Sequence, residues 1–161
     1  MEPDLDAMDR DAFAAALAGV VEHSPWVAEA VWELRPFGSV ERLALAFEAA
    51  IRLAPQRRDI LRAHPELSGQ ATLTPDSAAE QRAARLDQLT AEQLGRLVAL
   101  NAAYRERFGF PFISCVREHS VASLLAWGAA RLEREPQAEE HTALAEVGKI
   151  VALRVRERVA A

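Results

Sequence analysis

An all-α fold is predicted for this chain, on three observations. Ala, Leu, Glu and Arg dominate the sequence, and all four are strong helix formers. Apolar residues recur every three or four positions through most segments, the spacing that lines one face of a helix. Only residues 110–116 (FPFISCV) have strand character, and one strand cannot make a sheet.

The elements follow in order. Residues 1–8 are acidic and read as a frayed tail. Residues 10–18 make a first short helix. Ser24 followed by Pro25 has the form of an N-cap with proline in the first helical position, starting a helix that runs to about Leu34. Pro36, Phe37 and Gly38 end it. Ser39 caps the next segment, where Val40, Leu43, Phe47 and Ile51 form one apolar stripe. Pro55 divides that helix from a shorter one over 56–63. Residues 64–76 (HPELSGQATLTPD) lose the helical period and carry two prolines and a glycine, so they read as a loop. Ser77 and Glu80 have capping-box spacing for a helix of about 77–88, and Thr90 and Gln93 repeat it for a longer one. In that longer helix Leu94, Leu97, Val98, Asn101, Tyr104 and Phe108 share a face, and Gly109 and Pro111 close it. Val121, Leu124, Leu125, Gly128 and Leu132 define the next helix. After Pro136 the last one carries Leu144, Val147, Val151, Val155 and Val159.

A length of 161 residues with half of them hydrophobic fits one domain with a substantial core and no metal or disulfide staple. A net charge of -5 offers no electrostatic footprint for nucleic acid or an anionic membrane. Cys115 is the only cysteine, so no intrachain disulfide forms. There is no apolar signal core at the N-terminus, no S-K-L at the C-terminus, and no apolar run near the roughly 20 residues a membrane span needs, so cytoplasm is the expected compartment.

Few residues are suited to chemistry. His23, His64, His119 and His141 show no metal-ligand spacing, and Cys115 has no C-x-x-C partner, so no metal is expected. Phosphate loops and the G-x-S-x-G elbow are absent from the sequence. His64 precedes Pro65, which keeps it out of helical angles and places it at a helix break. It is either a helix-terminal histidine favoured by the macrodipole or an acid/base group. Ser77, Glu80 and Gln81 form a capping box, a cradle for a heterocycle rich in amide-like groups, or both. Arg117, next to an apolar run, faces solvent or pairs with Glu118, another acid or a ligand carboxylate. Trp26, Trp32 and Trp127 read as core or interface, Cys115 as a packed thiol, and ARLEREPQAEEH as a solvated helix boundary.

Taken together and in order, EHSPWVAEAVW (22–32), RPF (35–37), AHPEL (63–67), S-x-x-E-Q (77–81), LNAAYRERFGFPFISCVRE (100–118) and a terminal E-x-x-K-I-x-x-L-R closely resemble the 2-oxo-4-hydroxy-4-carboxy-5-ureidoimidazoline (OHCU) decarboxylases. The likeness spans about residues 10–159. It implies a compact, single-domain, multi-helix fold, often a homodimer, with no metal and no organic cofactor. It also implies the reaction, cofactor-free decarboxylation to (S)-allantoin at the end of urate degradation. Carried over by position, His64 and Glu80 are the catalytic pair. Pro65, Ser77, Glu80, Gln81 and the stretch Phe112, Ile113, Ser114, Cys115, Val116 and Arg117 contact the small-molecule substrate. A helical ureide- or purine-binding module without activity, and a lyase for a related heterocyclic carboxylate, are the alternatives.

Overall fold

The computed structural model describes residues 4–67 and 74–160. Among these there are eight α-helices and no strand. The helices are α1 (Arg10–Ala16), α2 (Trp26–Trp32), α3 (Val40–Leu53), α4 (Arg57–Ala63), α5 (Pro75–Ala83), α6 (Ala91–Phe108), α7 (Val121–Leu132) and α8 (Pro136–Ala160). The FPFISCV stretch runs extended into a 3-10 turn over Val116–Glu118, so its strand-like composition reflects burial without pairing.

Caps explain most of the helix starts. The Ser39 hydroxyl accepts from Arg42 N at 3.2 Å and opens α3. Thr90 and Gln93 form the reciprocal capping box of α6, and Gly109 ends that helix at φ +80, where an L side chain is strained. Two expected caps fail. The Ser24 hydroxyl donates to Glu22 O at 3.2 Å and does not cap α2, whose cap position is Pro25. Thr74, not Ser77, caps α5, with Pro75 in its first turn. That helix runs Pro75–Ala83 and not 77–88, which places Ser77 inside its first turn and buries it. The expected loop at 64–76 lies partly outside the described residues, at 68–73.

α8 is the spine of the molecule. Its buried residues include Leu144, Val147, Val151, Val155 and Val159, and α3 packs along it. At Gly148 a Cβ would stand 3.2 Å from Glu48 Cγ, so the missing side chain permits this close approach. α6 and α7 pair beside Phe110 and Phe112, with Tyr104 against both rings. Of the expected α6 face, Leu97, Asn101 and Tyr104 are buried, whereas Leu94 and Val98 face solvent at 44% and 59% exposure.

Two polar expectations are corrected by packing. Residues 4–8 of the expected frayed tail are docked. Leu5 is buried, and the Asp6 carboxylate accepts from Phe37 N at 2.8 Å and Gly38 N at 2.9 Å. The indole of Trp32 donates to Met8 O at 3.0 Å. Within the expected solvated boundary ARLEREPQAEEH, Arg131 and Glu139 are wholly buried and paired. The guanidinium also donates to Ile113 O, and the Tyr104 hydroxyl donates to Glu139. Burial, then Glu139, pushes the Tyr104 phenol well above its ordinary value. This knot ties α6, α7, α8 and the extended stretch together.

Candidate active site

Three elements bring the site residues together around α8. α4 ends at His64, whose φ of -70 and ψ of 136 are the extended angles that Pro65 demands. α5 presents Ser77, Glu80 and Gln81 on adjacent turns. The 3-10 turn carrying Arg117 packs against α5. Gln81 Nε2 donates to Glu66 O at 3.5 Å, which links α5 to the chain just after Pro65. Asn101 Nδ2 holds Leu67 O at 3.2 Å from the side of α6.

At the centre lies Arg154 of α8, 2% exposed. Its Nε meets Glu80 Oε1 at 2.8 Å and its Nη2 meets Glu80 Oε2 at 3.0 Å, a two-pronged guanidinium–carboxylate pair. Nη2 also reaches Ser77 Oγ at 3.2 Å and Glu22 Oε1 at 3.0 Å, and Nη1 donates to Val20 O at 3.2 Å. Burial works against the guanidinium's charge, and Glu80, Glu22 and Asp76 more than restore it. Glu22 receives hydroxyl hydrogen bonds from Thr74, at 2.7 Å, and from Ser77. Burial alone would raise its carboxyl, but Ser77, Thr74 and the Arg154 charge bring it below the usual carboxylate value.

His64 is buried beside this cluster. Burial first, then the charges of Arg154 and His23, lower its imidazole to about 4 against the opposing pull of Glu22. The ring is therefore neutral near pH 7, a form that can accept a proton.

The other expected site residues divide. Pro65 is buried next to His64. Glu80, Cys115, Val116 and Arg117 line one small hollow with Ile150 and Leu153. Burial, then Glu118 and Glu146, raises the Cys115 thiol, which fits a packed cysteine. Phe112 and Ile113 sit in the core, the Phe112 ring 4.9 Å from the Arg131 guanidinium. Ser114 Oγ donates to Glu146 at 3.3 Å. Arg117 is paired with Glu157, an acid far along the chain, and its side chain is 39% exposed. The guanidinium that meets Glu80 and Ser77 is Arg154 instead.

Single-residue reasoning passed over Glu22 and Arg154, although both stand at the ends of recognised segments. Glu22 opens EHSPWVA and Arg154 closes E-x-x-K-I-x-x-L-R. Among the described residues no cluster of His, Cys, Asp or Glu is arranged to hold a metal ion.

The fold and site define a helical protein with a buried histidine beside a carboxylate–guanidinium cluster. The family model described as OHCU decarboxylase matches residues 6–156. A 2-oxo-4-hydroxy-4-carboxy-5-ureidoimidazoline decarboxylase of Haloferax volcanii is 40% identical over 156 residues, 96% of this chain and 93% of the relative. One from Mus musculus is 41% identical over 163 residues, 98% and 92% of the two chains. A crystal structure of (S)-allantoin synthase superposes with a TM-score of 0.76 at 30% identity, over 97% of this chain and 52% of that one, so the chain spans about half of that structure. The chain belongs to the OHCU decarboxylase family.

Proposed function

We propose that the chain decarboxylates 2-oxo-4-hydroxy-4-carboxy-5-ureidoimidazoline to (S)-allantoin. The observation that carries the mechanism is the clamp of Arg154 on Glu80 and Ser77 beside a neutral, buried His64. The substrate's carboxylate sits on a carbon bearing a hydroxyl, next to a C=N bond. When the C–CO2 bond breaks, its electron pair forms a C=C bond while the C=N pair moves onto nitrogen, which takes a proton. The resulting enol loses its hydroxyl proton to become a carbonyl, and the neighbouring carbon gains a proton from one face. The substrate thus supplies its own electron sink, and the protein's tasks are positioning, charge placement and facial selection.

In this reading His64 takes the hydroxyl proton and delivers one to carbon. Glu80, held flat by Arg154, receives N–H groups of the ureido or ring system. Ser77 and Gln81 orient the ring, and the guanidinium meets negative charge as it develops. Arg117 guards the edge of the hollow from its station on Glu157. The homologues' shared name and the family match over residues 6–156 support the reaction and a single domain.

The assembly is proposed as a homodimer, supported by Leu94 and Val98, exposed one turn apart on α6. A cytoplasmic location is proposed as well, in keeping with a single cysteine, and the net charge of -5 supports the lack of a nucleic-acid or anionic-membrane partner. Among the described residues no helix is long and apolar enough to cross a membrane.

The test is stereochemical. The purified chain is added to urate, urate oxidase and 5-hydroxyisourate hydrolase, and circular dichroism follows the product. The expected outcome is rapid growth of the (S)-allantoin signal. Racemic product at the uncatalysed rate would reject the reading, and retained ligand binding without turnover would favour the binding-module alternative.

A further inference from the structure

Glu22 is a buried charge to which the reaction scheme assigns no task. It lies between α1 and α2 with its side chain sealed from solvent. One oxygen is crowded. Oε1 accepts from the hydroxyl that caps α5, from the Ser77 hydroxyl and from Arg154 Nη2. The other oxygen, Oε2, is buried and has no hydrogen-bond partner among the described residues. That unmet acceptor costs about 1–3 kcal/mol, as the equally unmet Oε2 of Glu139 does in its own cluster. What sets Glu22 apart is that Ser77 and Arg154 are donors on its other oxygen.

The loop that delivers Glu22 is itself constrained. His23 has φ +51, in the left-handed region that side chains other than glycine rarely adopt. The Ser24 hydroxyl turns back onto Glu22 O. Burial and an idle oxygen fall on Glu22, strain falls on its neighbour His23, and the donors gathered on the other Glu22 oxygen belong to the site. Two of them, Ser77 and Arg154, are the groups assigned to hold and polarise the substrate.

Resting on the decarboxylase reading, we propose that Glu22 is a positioning residue for the reaction, which sets the aim of Arg154 and Ser77 and the seat of α5 beside His64. It acts through these groups and does not touch the reacting carbon. Without the Glu22 charge, Glu80 is the one carboxylate among the described residues left in direct contact with the guanidinium. The charged and titratable groups that act on His64 are Arg154 from α8 and Glu22 and His23 from the α1–α2 loop. Removal of the Glu22 charge leaves the Arg154 charge unopposed there.

The test uses the full chain as wild type, Glu22→Gln and Glu22→Asp, with the coupled allantoin assay and an NMR titration of the His64 ring. Glu22→Gln is expected to stay helical, to lose about 100-fold in kcat/KM through misaimed groups, and to move the His64 midpoint to lower pH. Glu22→Asp keeps the charge but withdraws the carboxylate. Its expected loss is about tenfold, with the His64 midpoint held near wild type. Wild-type kcat/KM in Glu22→Gln, or a loss with an unmoved His64 midpoint, would overturn the proposal. If Glu22→Gln does not fold, Glu22→Asp decides, and full activity there overturns it. An inactive wild type would strike the decarboxylase reading instead.

Discussion

At the scale of single residues, the chemistry turns on which cation serves the site. Arg154 is buried and grips Glu80 with two nitrogens, whereas Arg117 sits at the surface on Glu157. Arg154→Gln is therefore expected to lower kcat/KM by about 100-fold or more, and Arg117→Gln by less than about tenfold, by steady-state kinetics on the two variants. His64 carries a separate expectation. Its folded value of about 4 lies below its ordinary 6.5, so the unfolded chain binds the proton more readily. The stability this gives is complete above pH 6.5 and is lost as pH falls from there through about 4. Urea unfolding across that window is expected to show a decline in wild type that is shallower in His64→Gln. His64 itself was legible in the sequence, because a histidine before proline at the end of a helical pattern has one place to be. Arg154 was not, because an arginine among Leu and Val on a regular helix has the spacing of any solvated charge. Only the partners brought by other helices make it a buried centre.

Elements show the same division between local and distant causes. The α3 and α6 starts were readable because Ser39, Thr90 and Gln93 bond backbone groups within three residues. At α5 the sequence pointed to the Ser77–Glu80 cap, and the structure places the cap at Thr74, ahead of Pro75. The expected cap loses because Glu22 and Arg154 claim the Ser77 hydroxyl and Arg154 claims Glu80. Thr74→Ala is expected to cost about 1 kcal/mol from the cap in a denaturant melt, with further loss of the hydroxyl bond to Glu22. The contact of α7 with α6 depends on Gly128, where a Cβ would stand 2.3 Å from Leu100 Cδ2 and 3.1 Å from Phe112 Cζ. Gly128→Ala is expected to destabilise by about 1–3 kcal/mol through overpacking, since both Leu100 and the wholly buried Phe112 ring would have to shift.

At the scale of the whole molecule, two buried ionic knots hang on α8. One, Arg131 with Glu139 and Tyr104, joins the C-terminal half and holds the extended stretch through Ile113 O. The other, Arg154 with Glu22, Ser77 and Glu80, gathers the site from both ends of the chain. Glu139→Ala leaves the Arg131 charge buried without its partner and is expected to cost about 3–5 kcal/mol in thermal melts. The proposed reaction uses the second knot and not the first, so Glu139→Ala is expected to lose stability before it loses turnover. The central claim is that the neutral His64 moves the protons of the decarboxylation. Its most direct test is the allantoin ellipticity time course of His64→Ala beside wild type, with both proteins shown to be equally helical. An (S)-allantoin signal is expected from wild type alone, with the variant near the uncatalysed, racemic course. Near-normal (S)-allantoin formation by His64→Ala would contradict that claim.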